Sequence, residues 1–189
     1  MRVLILALVF GCFLGPAPSV YAQDDNSTEY APNRYGVALL AGKAYDPDAI
    51  GLLLLQGQLL LDYDRIFWHA APESLWLKLE INGGLTTDGR IRTLLSVNML
   101  ALNYFNRLRI GNWVPYAEAG IGLIYTDFQI KDQGSRINFN PQLGVGLEYP
   151  LENGRALTLG LRLHHLSNGH LLKDNRGVNS ALFQVGYLF

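Results

Sequence analysis

Beyond residue 22 the chain has no cysteine, since its only one is Cys12. A product starting after residue 22 therefore has no disulfide and no thiol chemistry. Charge is also scarce. Charged residues make up 16% of the 189, with a net charge of −1, against about 25% in ordinary soluble domains. No basic run is present, which excludes the electrostatic footprint of a nucleic-acid binder. After residue 22 no apolar stretch approaches the roughly 18 residues that a membrane helix needs. What the chain does have is 49% hydrophobic residues and 20 glycines. High apolar content without a spanning helix points to a membrane-spanning β-barrel, the other backbone arrangement that satisfies its own hydrogen bonds in lipid.

The first 22 residues read as a secretory signal. Met1-Arg2 precedes an almost wholly apolar run from Val3 to Leu14, and Val20-Tyr21-Ala22 has the small-residue spacing of a cleavage site. Val9-Phe10-Gly11-Cys12 matches a lipoprotein acylation site only loosely and comes too early. Residues 23–33 are polar and read as a loose leader. From 34 to 189 we expect one barrel domain of eight antiparallel strands, at about 34–44, 50–64, 74–86, 90–105, 113–128, 136–150, 155–167 and 178–189. The gaps carry turn chemistry: Asp46-Pro47-Asp48, Thr87-Asp88-Gly89, Asp132-Gln133-Gly134-Ser135 and Glu152-Asn153-Gly154.

Alternation supports this fold class, all-β and transmembrane. Ala181, Phe183, Val185, Tyr187 and Phe189 share one strand face, while Ser180, Gln184 and Gly186 share the other, with Leu182 and Leu188 as exceptions. A lipocalin-like soluble barrel would turn its apolar side inward. The final Phe189, with aromatics at alternate positions before it, has the form of an outer-membrane sorting signal. Trp68, Trp76, Tyr104, Trp113, Tyr116 and Tyr149 are candidates for interfacial girdles. Glu80, Glu118, Glu148, Arg92 and Arg162 are candidates for an interior ion-pair network.

The segment Leu157-Thr-Leu-Gly-Leu-Arg-Leu-His-His-Leu-Ser167 carries the candidate chemistry. Leu157, Leu159, Leu161 and Leu163 share one strand face, and His165 and Ser167 continue it. The opposite parity would expose Arg162 and His164 to lipid, at high cost. A serine becomes nucleophilic when a base takes its proton, and a third group must hold the imidazole tautomer. A hairpin centred near Leu172 puts Asn179 opposite His165 and on the same outward face. His164 has lumen parity and reads as a hydrogen-bonded interior residue. With His165 and His170 it makes a poor metal set, because the spacing lacks an ordered facial arrangement. Arg176 and Lys173 read as solvated loop charge, with lipid phosphate contact as the alternative.

His165-Leu166-Ser167-Asn168, followed by Asn175-Arg176-Gly177 and a polar residue at 179, resembles the outer-membrane lipid A 3-O-deacylases. Gln142-Leu-Gly-Val-Gly146 is similar to that family as well. The resemblance implies an eight-stranded barrel in the bacterial outer membrane with its site on the lipid-facing wall. It implies hydrolysis of the 3-O-linked acyl ester of lipid A and release of a 3-hydroxy fatty acid. Ser167 would then be the nucleophile and His165 the general base, with Asn168, Gly169 and Asn175 around the oxyanion. No cofactor or metal is expected. The expected partner is lipid A or lipopolysaccharide of the outer leaflet, and a homodimer is left open. One departure stands out: the family pattern has a glutamate where this chain has Asn179. Asn179 can still hold the tautomer, and Asp174 is the alternative carboxylate. Two other classes compete: a non-enzymatic structural or adhesion barrel, and an acyltransferase, which needs an acyl pocket inside the lumen.

Overall fold

The computed structural model describes residues 32–47, 49–67, 70–87 and 90–189. The signal segment 1–22, nearly all of the 23–33 leader, and Asp48, Trp68, His69, Asp88 and Gly89 lie outside the described residues.

Nine strand segments make the wall: β1 (Arg34–Asp46), β2 (Gly51–Asp62), β3 (Leu75–Thr86), β4 (Thr93–Tyr104), β5 (Val114–Thr126), β6 (Ile137–Phe139), β7 (Gln142–Pro150), β8 (Ala156–Leu166) and β9 (Val178–Leu188). β6 and β7 are two pieces of one wall position, since both pair with β5. They part at Asn140-Pro141, where Pro141 has no N–H to donate. Every neighbouring pair is antiparallel. β1 pairs with both β2 and β9, and β4 with β5, so the sheet closes into an eight-stranded barrel without a free edge.

Parity decides what each side chain meets. Leu55, Ile81, Val97, Leu123, Val145, Leu161 and Val185 are exposed on the outside. Gln56, Lys78, Glu80, Asn82, Asn98, Glu118, Arg162 and Gln184 are buried within. This is the reverse of a water-soluble barrel, and a belt this apolar is stable only against lipid.

The interior is packed. Its middle layer sets two cations against two carboxylates. Arg162 donates from Nη1 and Nη2 to Glu80, each at 2.9 Å, and from Nε to Glu118 at 2.8 Å. Arg162 Nη2 also meets Glu118 Oε1. Lys78 Nζ lies 3.0 Å from both Glu80 and Glu118. Apolar plugs close the two ends. Leu40, Leu52, Leu94, Ile124, Phe128, Leu166 and Val178 belong to one; Leu102, Tyr104, Val114 and Tyr116 form the other.

Several expectations change here. Lys78 replaces Arg92 in the charge network. Glu148 belongs to a separate group with Arg34, at 2.8 Å, and the Tyr104 hydroxyl, at 2.5 Å. Tyr104 and Tyr116 are not girdle residues, because their even parity turns both rings into the lumen. Trp113 and Tyr149 do meet edge to face, 5.0 Å apart, at that end. His164 is interior, but its Nε2 has no hydrogen-bond partner among the described residues.

Candidate active site

The site stands at the barrel end opposite the start of β1 and the end of β9. Leu161 and Leu163 face outward along β8, and His165 follows them on that face. Past Leu166 the chain stays extended because β6 holds it. The Phe139 N–H donates to the Ser167 carbonyl at 2.8 Å, and the Ser167 N–H returns a bond to the Phe139 carbonyl at 3.1 Å. Ser167 therefore keeps the parity of His165.

His165 Nε2 lies 3.1 Å from Ser167 Oγ. Its Nδ1 lies 2.6 Å from Asn179 Oδ1. The backbone explains the second contact, since His165 is the direct cross-strand partner of Asn179. The three residues form one hydrogen-bonded row, hydroxyl to imidazole to amide. Because Asn179 Oδ1 only accepts, the proton belongs on Nδ1, and Nε2 offers its lone pair to the hydroxyl. Gly177 backs the imidazole. A Cβ there would come within 2.7 Å of His165 Cε1 and 3.0 Å of the Leu166 carbonyl.

After Ser167 the chain turns over Asn168–Leu171, closed by the Leu171 N–H on the Asn168 carbonyl at 3.2 Å. Gly169 and His170 have φ of 64° and 65°, the two positive angles of a type I′ turn. The loop is then cross-braced. Asn175 Oδ1 accepts the Asn168 N–H at 2.7 Å, and Asn168 Nδ2 donates to the Asp174 carbonyl at 2.7 Å. The Asp174 carbonyl also accepts from the Gly134 N–H, and the Arg176 N–H reaches the Asp132 carbonyl, each at 2.8 Å. The 127–136 loop thus supports the site loop.

Of the three expected oxyanion residues, Asn168 is buried, and both its backbone N–H and its side-chain amide serve this brace. The Gly169 N–H makes no hydrogen bond among the described residues. Asn175 Nδ2 lies 3.1 Å from His170 Nδ1 and keeps a second hydrogen. Asp174 does not reach the imidazole; its backbone carbonyl, not its carboxylate, is the bonded group. His164 and His165 lie on opposite sides of the wall, and among the described residues no cluster suited to a metal ion occurs.

One residue at the site was not anticipated. Asn179 Nδ2 donates to Asp46 Oδ2 at 2.9 Å, and Arg176 Nη2 donates to Asp46 Oδ1 at 2.7 Å. Arg176 is thus paired with a carboxylate rather than left as free loop charge. Simple alternation puts Asp46 in the lumen with Ala44. A β-bulge at Tyr45 shifts the register between Ala44 and Asp46, so Asp46 pairs with Asn179 on the outer face.

Fold and site together define an outer-membrane β-barrel with a serine–histidine–asparagine row on its lipid-facing wall. The model of the lipid A 3-O-deacylase (PagL) family matches residues 57–188, and the chain belongs to that family. It is a protein of the bacterial outer membrane. Among solved structures it is similar to the outer membrane enzyme PagL, at 24% identity over 80% of this chain and 97% of that one, with a TM-score of 0.54. It is also similar to Neisserial surface protein A, at 13% identity over 82% and 95%, with a TM-score of 0.64. Both likenesses concern the fold. No curated protein matches the chain.

Proposed function

We propose that the chain is a serine esterase that removes the 3-O-linked acyl chain of lipid A. The observation that carries this reading is the row Ser167–His165–Asn179 on the outward face, at 3.1 Å and 2.6 Å. Family membership supplies the substrate class.

In this reading His165 Nε2 takes the proton of Ser167 Oγ as the oxygen attacks the ester carbonyl carbon. The carbonyl oxygen becomes an oxyanion, stabilised by the Gly169 N–H and the second hydrogen of Asn175 Nδ2. The intermediate collapses, the bond to the sugar oxygen breaks, and imidazolium returns its proton to that oxygen. Water then attacks the acyl-serine with His165 again as base, releasing a 3-hydroxy fatty acid and restoring Ser167. A shallow apolar depression of the outer wall, lined by Val97, Met99, Ile121, Leu123 and Phe139, adjoins this position through Phe139. It suits an acyl chain.

Ser167→Ala and His165→Ala each fold and insert as the parent does, and each leaves lipid A intact. Mass spectra of lipopolysaccharide incubated with the purified proteins check this. Loss of a hydroxyacyl chain with either variant rejects the assignment. If the parent itself releases nothing, the non-enzymatic barrel is favoured. Recovery of the acyl group on a second lipid, with no free fatty acid, indicates the acyltransferase.

A further inference from the structure

We infer that Asp46 is a positioning residue that fixes the orientation of the Asn179 amide against His165. The inference rests on the esterase reading and adds a fourth member to the row. An amide side chain is ambiguous: turned one way, Asn179 presents Oδ1 to His165; turned the other, it presents Nδ2. An Nδ2–H facing Nδ1 would need a lone pair there, which moves the proton to Nε2. Nε2–H cannot accept the Ser167 proton, so that orientation disables the base.

Asp46 removes the ambiguity. An ionised carboxylate accepts and does not donate, so the Asn179 edge facing Asp46 Oδ2 at 2.9 Å must be Nδ2. The other edge, Oδ1, is then held against His165 Nδ1 at 2.6 Å. Arg176 Nη2 donates to Asp46 Oδ1 at 2.7 Å and holds the carboxylate in place beside Asn179. The carboxylate also polarises the Asn179 amide, placing more negative charge on Oδ1 as the imidazolium forms. The charge that a glutamate would supply directly thus acts through one amide. Three elements meet here: the bulged end of β1, the start of β9 and the end of the site loop.

The test uses the full chain in detergent micelles, with lipopolysaccharide as substrate. Asp46→Asn lets position 46 donate as well as accept, so it no longer dictates the Asn179 orientation. The expected result is a fall in kcat of about tenfold or more with KM little changed. Nitrogen-15 spectra of His165 shift from the Nδ1–H tautomer toward a mixture. In an Asn179→Glu background the same substitution does not lower kcat, because position 179 then carries its own charge and loses a repulsive neighbour. Unchanged kcat and an unchanged His165 spectrum in Asp46→Asn overturn the inference. An equal loss in both backgrounds also overturns it, since that marks a merely structural carboxylate. Activity surviving in Ser167→Ala instead rejects the esterase reading, while the His165 spectrum still tests Asp46.

Discussion

At the residue scale, a histidine and a serine two apart on a strand are common, so geometry has to supply the specificity. Part of it comes from Gly177. A methyl there meets the edge of the imidazole, 2.7 Å from Cε1 and 3.2 Å from Nε2, and lies 3.0 Å from the Leu166 carbonyl. The ring swings away more readily than the backbone yields. Gly177→Ala is therefore expected to leave stability within about 1 kcal/mol of the parent. Activity drops on the order of 100-fold, as for other sub-ångström to ångström misplacements of a reacting group. Heat-modifiability on gels reads the first and fatty acid release the second; a large fall in stability with activity intact would contradict the role given to Gly177. The outward facing of His165, Ser167 and Asn179 was legible in the sequence because strand parity is strict once a hairpin register is chosen. Lys78 was not read from the sequence as part of the charge network, although it shares the parity of Glu80 two residues on. Asp46 was not legible, since its outward facing depends on a bulge at Tyr45 that no residue type there announces.

At the element scale, the 168–177 loop is a small structure of its own. A type I′ turn starts it, an asparagine pair braces it, and the neighbouring loop backs it. The sequence indicated a hairpin centred near Leu172 and, through the family resemblance, an oxyanion environment. It did not show that Asn168 is inward and structural, because the chain past Leu166 leaves regular strand and parity arguments end there. In the esterase reading Asn175 has two functions that one substitution separates. Asn175→Asp keeps an oxygen to accept the Asn168 N–H and removes the Nδ2 hydrogens. The loop is expected to hold while activity falls by roughly 10²–10³, the cost of losing one oxyanion donor. Asn175→Ala loses the brace as well, leaving the buried Asn168 N–H unpaired at about 1–3 kcal/mol. Proteolysis between Asn168 and Gly177 distinguishes the two, with only the alanine variant cut faster. Equal activity in Asn175→Asp and the parent would remove Asn175 from the oxyanion environment.

At the scale of the whole molecule, the barrel must hold its wall rigid while its outer face meets lipid and its interior excludes it. The charge layer does this by balance: two cations and two carboxylates, each buried and each bonded to the opposite sign. Removing one member is worse than removing a pair, because the remaining charge has neither water nor a partner. Arg162→Met leaves Glu80 and Glu118 facing Lys78 alone, and a loss of about 3–5 kcal/mol is expected in urea unfolding from lipid vesicles. The exposed Arg136–Asp127 pair, 2.5 Å apart with both side chains about half exposed, is the contrast; Arg136→Met should change unfolding little. The decisive variant is the double one. Arg162→Met with Glu118→Gln leaves Lys78 against Glu80, a neutral interior, and should recover part of what the single change loses. If the double variant is weaker than Arg162→Met by the full effect of Glu118→Gln alone, the two positions act independently and charge balance does not hold the barrel together. Recovery instead means that the layer is one cooperative unit, and that the wall carrying Ser167 and His165 is set by charges on its inner side.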